Sequence, residues 1–191
     1  LADSVAANGY HLNVGILGAK AVLGALSDNG QAETAYKLAS QKTFPSWGWW
    51  IVNGATTLYE NWNINLQRDL SLNHIMFGEI GAWLYKGIGG IKPDENKPGF
   101  KNVILEPNFV TGLNEFYSEH TSPYGKIISS WKRNGKEIDY NVTIPANASA
   151  VINFPTAEGT SVYLGRQRIT NTQGYAIASG NYLFVIRSVA M

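Results

Sequence analysis

The hydrophobic period of this chain changes once, near residue 92, and that change restricts the fold more than any single motif. Upstream, apolar residues recur at helical spacing: Ile16, Leu23 and Leu26 share one face, and Ala32, Ala35, Tyr36 and Ala39 repeat along the next segment. Asp28-Asn29-Gly30 ends the first helix and lets the second begin, as a helical hairpin requires. A third helix is predicted over 72–86, with Met76, Ile80, Trp83, Leu84 and Gly87 on one side and Gly87, Gly89 and Gly90 as its stop. Residues 43–71, between the second and third helices, read as one long loop. Loops of that length are functional or disordered, and six aromatic residues are the wrong composition for disorder.

Downstream, the polar stretch 93–99, with Pro98 and Gly99, reads as a linker. The remainder carries short strand-like runs at 103–105, 127–131, 138–144, 150–154, 161–164 and 182–186, with Asn134-Gly135 marking a tight hairpin. Strands at this spacing without intervening helices predict an antiparallel β-sandwich. The expected organisation is helical over 1–92, a linker over 93–99 and a sandwich over 100–191, with no repeat of solenoid period.

Composition excludes several classes of function. At 191 residues, 45% of them apolar, the chain has room for one ordinary domain or two small ones with a real core. Fifteen basic residues against fourteen acidic ones leave a net charge of +1, and no basic run interleaves with aromatics, so nucleic acid is not an expected partner. No apolar run reaches the roughly 18 residues of a membrane-spanning helix, so no membrane is expected either. The lack of cysteine removes disulfides and thiolate metal sites. Neither HExxH, nor an i, i+4 histidine pair, nor an Asp-rich calcium loop occurs, and no metal or cofactor is expected. Asn141-Val142-Thr143 and Asn147-Ala148-Ser149 match glycosylation sequons, triplets that chance produces often. The chain starts at Leu1 rather than Met, which raises the expectation of a longer protein.

The aromatic loop points to chemistry. Ser46-Trp47-Gly48-Trp49-Trp50 and, after Gly54-Ala55-Thr56-Thr57, the run Leu58-Tyr59-Glu60-Asn61-Trp62-Asn63 set one carboxylate among indole and phenol rings. Aromatic faces stack on the C–H side of a pyranose, while amides, hydroxyls and a carboxylate fix its hydroxyl groups. Glu60 reads as an acid or base in such a pocket. Its other reading is a carboxylate that only accepts backbone N–H bonds from Thr56 or Thr57.

Four blocks occur in order: Gly9-Tyr10-His11 with Gly15-Ile16-Leu17-Gly18; Phe44-Pro45-Ser46-Trp47-Gly48; Gly54-Ala55-Thr56-Thr57 leading to Glu60-Asn61-Trp62; and Ser71-Leu72-Asn73-His74 with Phe77-Gly78 and Trp83-Leu84-Tyr85. Tyr124-Gly125-Lys126-Ile127 with Trp131 and Ser179-Gly180-Asn181-Tyr182 follow. Together they resemble the C-terminal third of the inverting α-L-rhamnosidases, bacterial glycoside hydrolases with an (α/α)6 barrel followed by a β-sandwich. The resemblance implies partial (α/α)6 barrel helices here, and removal of a terminal α-L-rhamnose with inversion. Inversion uses two carboxyl groups about 6.5–9.5 Å apart, one protonating the leaving oxygen and one activating water. The resemblance puts the general base on Glu60 and the general acid in an earlier barrel loop with no counterpart here. It makes His74 a sugar-binding histidine, with Trp47, Trp49, Trp62, Tyr59 and Asn61 shaping the rest of the pocket. A rhamnose-containing glycoside or polysaccharide and the remaining N-terminal part of the same enzyme are the implied partners, with water the only co-reactant. The same resemblance favours a secreted or periplasmic location over the cytoplasm.

Departures keep other readings open. Tyr59 stands where the family has Trp, Asn61 where Arg is common and Asn63 where Asp is common, so a six-hairpin glycosidase acting on a different sugar is one alternative. A non-catalytic carbohydrate-binding module, with Glu60 only accepting hydroxyl hydrogen bonds, is another. His74 also reads as a helix-start residue, His11 as a core or cap residue and His120 as a surface one. Trp83 and Trp131 fall in regular periodicity and are expected in cores. Asp69 and Glu79 are the other nearby carboxylates. On a continuous helix Glu79 turns off the face of His74 and is expected in solvent. A few helices of a six-hairpin ring leave Ile16, Leu17, Leu23 and Leu84 uncovered. The chain is therefore expected to fold fully beside the rest of a barrel or as a homodimer, and to be inactive alone.

Overall fold

The computed structural model of the chain describes residues 1–65, 71–155 and 159–188, which divide into the units Leu1–Gly87 and Ile88–Met191. Helices come first and sheets follow. In the first unit, α1 (Ala2–Ala7) is too short to carry a period and buries only Val5. Helix α2 (Ile16–Asp28) starts from an extended Gly15 and buries Ala19, Val22, Leu23 and Leu26, the i, i+3, i+4, i+7 set of one face. At its end Gly30 adopts φ +73°, so that Gln31 N–H reaches Leu26 O at 2.8 Å and Gly30 N–H reaches Ser27 O at 3.1 Å. These are the two bonds of a Schellman motif. Helix α3 (Ala32–Ala39) follows directly and packs on α2, with Leu38 rather than Tyr36 or Ala39 completing its buried face. Leu23 is fully buried, contrary to the expected uncovered face, whereas Leu17 and Leu84 remain exposed.

The region expected to be one loop contains a helix, α4 (Trp47–Val52). Ser46 caps it: its Oγ accepts Trp49 N–H at 2.9 Å and donates to Thr43 O at 2.8 Å. The expected third helix is broken into a 3-10 turn (Ile75–Phe77), α5 (Glu79–Trp83) and a π turn (Leu84–Ile88). His74 lies outside all three, with extended backbone angles (φ −138°, ψ 136°). Trp83 anchors α5 to α2 through Nε1, which donates to Ser27 Oγ at 2.8 Å.

The second unit holds ten strands among the described residues: β1 (Ile91–Pro93), β2 (Asn102–Leu105), β3 (Glu115–Ser122), β4 (Gly125–Asn134), β5 (Glu137–Ile144), β6 (Ser149–Ile152), β7 (Thr160–Leu164), β8 (Gln167–Ile169), β9 (Tyr175–Ile177) and β10 (Gly180–Ser188). They form a six-stranded antiparallel sheet in the order β3-β4-β5-β10-β7-β8 and a four-stranded sheet in the order β1-β2-β6-β9. Strands β2 and β6 pair in parallel, the one departure from the antiparallel pattern among the described residues.

Alternation places Ile127, Ser129 and Trp131 of β4 and Tyr140, Val142 and Ile144 of β5 inside. Phe154 crosses the sandwich to meet Tyr140 and Phe184 at ring distances of 6.3 and 5.1 Å. Ser129 Oγ, fully buried, donates to Gly89 O and contacts Tyr140 Oη at 3.0 Å, while burial pushes the Tyr140 phenol well above its ordinary value. At the β4–β5 turn Asn134 pairs with Glu137, and Gly135, at φ +63°, is the first of the two central residues.

The boundary differs from the expected one at 92. Strand β1 pairs with β2, Ile91 opposite Leu105, so residues 94–101 form a hairpin loop inside the second unit rather than a linker. Asp94 Oδ2 accepts Asn102 Nδ2–H at 2.8 Å and Oδ1 accepts Asn96 N–H at 3.0 Å. These bonds, from the Asn102 amide first, hold its carboxyl below the ordinary value.

Candidate functional site

Indole hydrogen bonds fasten the aromatic loop of the first unit. Trp47 Nε1 donates to Phe77 O at 3.0 Å, Trp50 Nε1 to Trp62 O at 3.2 Å and Trp62 Nε1 to Val14 O at 3.0 Å. Trp50 stacks on Trp62 at 4.6 Å, and Trp47 and Phe77 meet Trp62 at 5.3 and 4.1 Å. Trp47 and Trp62 are only 4% and 9% exposed. An indole packed against other rings with its N–H bonded inside has no face for a pyranose, which corrects the expectation that these two line the pocket. Tyr59 is half-buried and leans on Trp50 at 5.6 Å. Trp49 is half-buried, edge-on to Phe44 at 6.1 Å, with its enclosed Nε1 lacking a partner among the described residues.

Glu60 and His74 belong to one hydrogen-bonded ribbon, because residues 57–60 run beside 71–74. Thr57 Oγ1 donates to Leu72 O, His74 N–H to Leu58 O at 2.8 Å and Glu60 N–H to Ser71 O at 3.0 Å. Glu60 Oε2 in turn accepts Ser71 N–H at 3.1 Å, so Ser71, rather than Thr56 or Thr57, supplies its backbone donor. The Glu60 side chain is exposed, and no ion pair engages it among the described residues. Asn61 is exposed too. Its Oδ1 accepts Asn63 N–H at 3.1 Å, and Asn63 Oδ1 accepts Asn65 N–H at 3.0 Å. Two successive Asx turns need short acceptor side chains, which gives a physical reason for asparagine at 61 and 63.

His74 Nδ1 accepts Met76 N–H at 3.2 Å and so caps the 3-10 turn. The imidazole also borders a cavity of about 830 Å³, together with Lys20, Glu79 and the aliphatic side chains of Ile16, Leu17, Leu58, Ile75 and Met76. Glu79 therefore borders the same cavity as His74 and is half-buried. The expectation that it turns off the face of His74 assumed one continuous helix. His74 itself has extended angles and stands before the 3-10 turn, so no single helical rotation relates it to Glu79. Lys20 is the charged lining group that sequence reasoning missed. Glu60 is not among the residues that border this cavity.

Elsewhere in the unit, His11 Nε2 meets Thr43 Oγ1 at 2.6 Å and so ties the approach to α2 to the approach to α4. Asp69 lies outside the described residues. In the second unit, His120 packs tilted against Phe100 with ring centroids 4.3 Å apart, and Trp131 is buried. Among the described residues no three His, Asp or Glu side chains gather as a metal site requires, and no helix is long and apolar enough to cross a membrane.

Comparison with known proteins gives this arrangement relatives. Residues 1–88 match the bacterial α-L-rhamnosidase six-hairpin glycosidase domain, and residues 90–168 match the bacterial α-L-rhamnosidase C-terminal domain. The chain belongs to the bacterial α-L-rhamnosidase family. An α-L-rhamnosidase of Formosa agariphila is 32% identical over 178 residues, which is 90% of this chain and 19% of that protein. One from Alteromonas sp. (strain LOR) is 38% identical over 147 residues, 73% of this chain and 16% of that protein. The chain thus spans less than a fifth of the length of these curated rhamnosidases. Among solved structures, the α-L-rhamnosidase from Dictyoglumus thermophilum is similar with a TM-score of 0.86 at 30% identity, over 97% of this chain and 22% of that one. The Streptomyces avermitilis α-L-rhamnosidase complexed with L-rhamnose is similar with a TM-score of 0.82 at 26% identity, over 97% and 19%. The two rhamnosidase domain matches meet between residues 88 and 90, within three residues of the division between Gly87 and Ile88.

Proposed function

We propose that this chain works as part of an α-L-rhamnosidase in which Glu60 is the general base of an inverting hydrolysis. The carboxylate itself carries the reading. It is exposed, one oxygen is tethered to Ser71 N–H, no cation is paired with it among the described residues, and it shares a ribbon with His74. A base acts only when held within reach of the proton it removes. The tether holds Oε2, and Oε1 has no hydrogen-bond partner among the described residues.

In the proposed step Glu60 takes a proton from water as the water oxygen attacks the anomeric carbon. The bond from that carbon to the leaving oxygen breaks, and a carboxylic acid about 6.5–9.5 Å from Glu60 protonates the leaving oxygen. That acid comes from the remainder of a six-hairpin barrel, and the substrate is a terminal α-L-rhamnose of a glycoside or polysaccharide. In the complete enzyme, Glu60→Gln is expected to lower kcat by about 10²–10⁴-fold while L-rhamnose still binds. Steady-state turnover of an aryl α-L-rhamnoside checks this, and near-wild-type kcat removes Glu60 from the mechanism.

A further inference from the structure

We propose that Thr57 is a positioning residue for Glu60, acting through Ser71: its hydroxyl fixes the turn at 71–73, whose first N–H holds the carboxylate. The proposal rests on the general-base reading above. Ser71 grips Glu60 at two points. Its carbonyl accepts Glu60 N–H at 3.0 Å, and its own N–H donates to Glu60 Oε2 at 3.1 Å. A regular antiparallel pair would send that second N–H to the Glu60 carbonyl. Here the side chain takes it, so the carboxylate is registered to backbone. A backbone donor has no rotamer of its own and moves only with its peptide, so the base stands where the Ser71 peptide stands.

Hydroxyl groups hold that peptide. Ser71 Oγ donates to Asn73 O at 3.1 Å and accepts Asn73 N–H at 3.3 Å, which fixes the shape of the turn but not its place against residues 57–60. Thr57 Oγ1 supplies the place by donating to Leu72 O, the carbonyl next along from Ser71. Among the described residues it is the one bond across the ribbon between the Ser71 rung and the His74 rung. Thr57 and Leu72 are both exposed. Loss of a hydroxyl at such a position costs the fold little, so its consequence falls on local geometry rather than on stability.

The complete enzyme tests this. Thr57→Val removes the donor at nearly constant shape and is expected to lower kcat for an aryl α-L-rhamnoside by about 10- to 100-fold, the scale on which small displacements of a reacting group act. KM and the Kd for L-rhamnose stay within about twofold, because the effect is confined to the transition state. Thr57→Ser, which keeps an Oγ at the same place, recovers most of the lost rate. Adding Thr57→Val to Glu60→Gln slows the residual reaction by no more than about twofold, since Thr57 acts only through the carboxylate. If the valine variant does not fold, Ser71→Ala loosens the same turn and gives the same readout, a fall in kcat with KM kept. Wild-type kcat in the variant that is measured, a loss that Thr57→Ser shares in full, or losses that multiply in the double variant overturn the proposal. Glu60→Gln alone separates the two claims: a slow Glu60 variant beside a wild-type Thr57→Val sinks only the positioning role, whereas near-wild-type kcat in Glu60→Gln sinks the base assignment beneath it.

Discussion

Trp62 sits at the centre of the ring cluster, and its position decides what kind of residue it is. Its Nε1 is bonded to Val14 O, Trp50 stacks on its face, and Trp47 and Phe77 close the remaining sides. Truncation leaves a cavity among rings and strips Val14 O of its donor. Trp62→Ala is therefore expected to destabilise the first unit by about 3–5 kcal/mol, seen as a lower denaturant midpoint for the complete enzyme. A sugar platform behaves in the opposite way, losing affinity at an unchanged midpoint. Glu60 marks the other extreme: exposed, held by one N–H, and open on its second oxygen. Aromatic composition drew attention to both residues, yet rings that pack well against sugars also pack well against one another. Only burial separates Trp62 from a binding residue, and burial depends on contacts from Val14 and Phe77, which the local sequence does not specify.

Among elements, α4 has the tightest fit. An ideal Cβ on Gly48 stands 2.1 Å from Gln41 O, a backbone atom that cannot rotate away. In an exposed helix alanine improves on glycine, so Gly48→Ala is expected to reverse the usual sign and cost about 1–3 kcal/mol through overpacking. Thermal unfolding of the variant beside Gly24→Ala, whose added Cβ meets nothing within 4 Å, checks the comparison. The elements legible in the sequence were those long enough to show a period: the α2–α3 hairpin with its Gly30 stop, and β4 and β5 on either side of the Gly135 turn. Helices α1 and α4 and strands β1, β8 and β9 span too few residues for that signal. Strand β3 is longer but lies at the sheet edge and reads Glu-Phe-Tyr-Ser-Glu-His-Thr-Ser, with little apolar alternation. The parallel β2–β6 pair joins residues nearly fifty positions apart, as Asn102 opposite Ser149 shows, and short-range patterns carry no trace of it. The extended backbone of His74, which takes it off the helix expected over 72–86, likewise leaves no mark in the short-range pattern.

At the scale of the whole molecule, each unit carries its own signature. The sandwich has a continuous ring-lined interior, whereas the helical unit leaves Leu17 and Ile75 82% and 86% exposed around its cavity. Uncovered aliphatic groups of that kind mark a surface with an occupant. Inverting hydrolysis also needs a second carboxyl group beside the base. We therefore expect the purified chain to show no turnover of an aryl α-L-rhamnoside; release of the aryl group at a rate that scales with chain concentration would refute this.

The β1–β2 hairpin has a practical consequence for anyone who wants to move the sandwich to another protein. A cut in the polar turn at 94–101, which reads as a natural seam, takes β1 off the sheet, leaves Asp94 and Asn102 on separate pieces, and turns β2 into an unprotected border open to stray pairing. The transplant has to begin no later than Ile88, where the second unit itself begins.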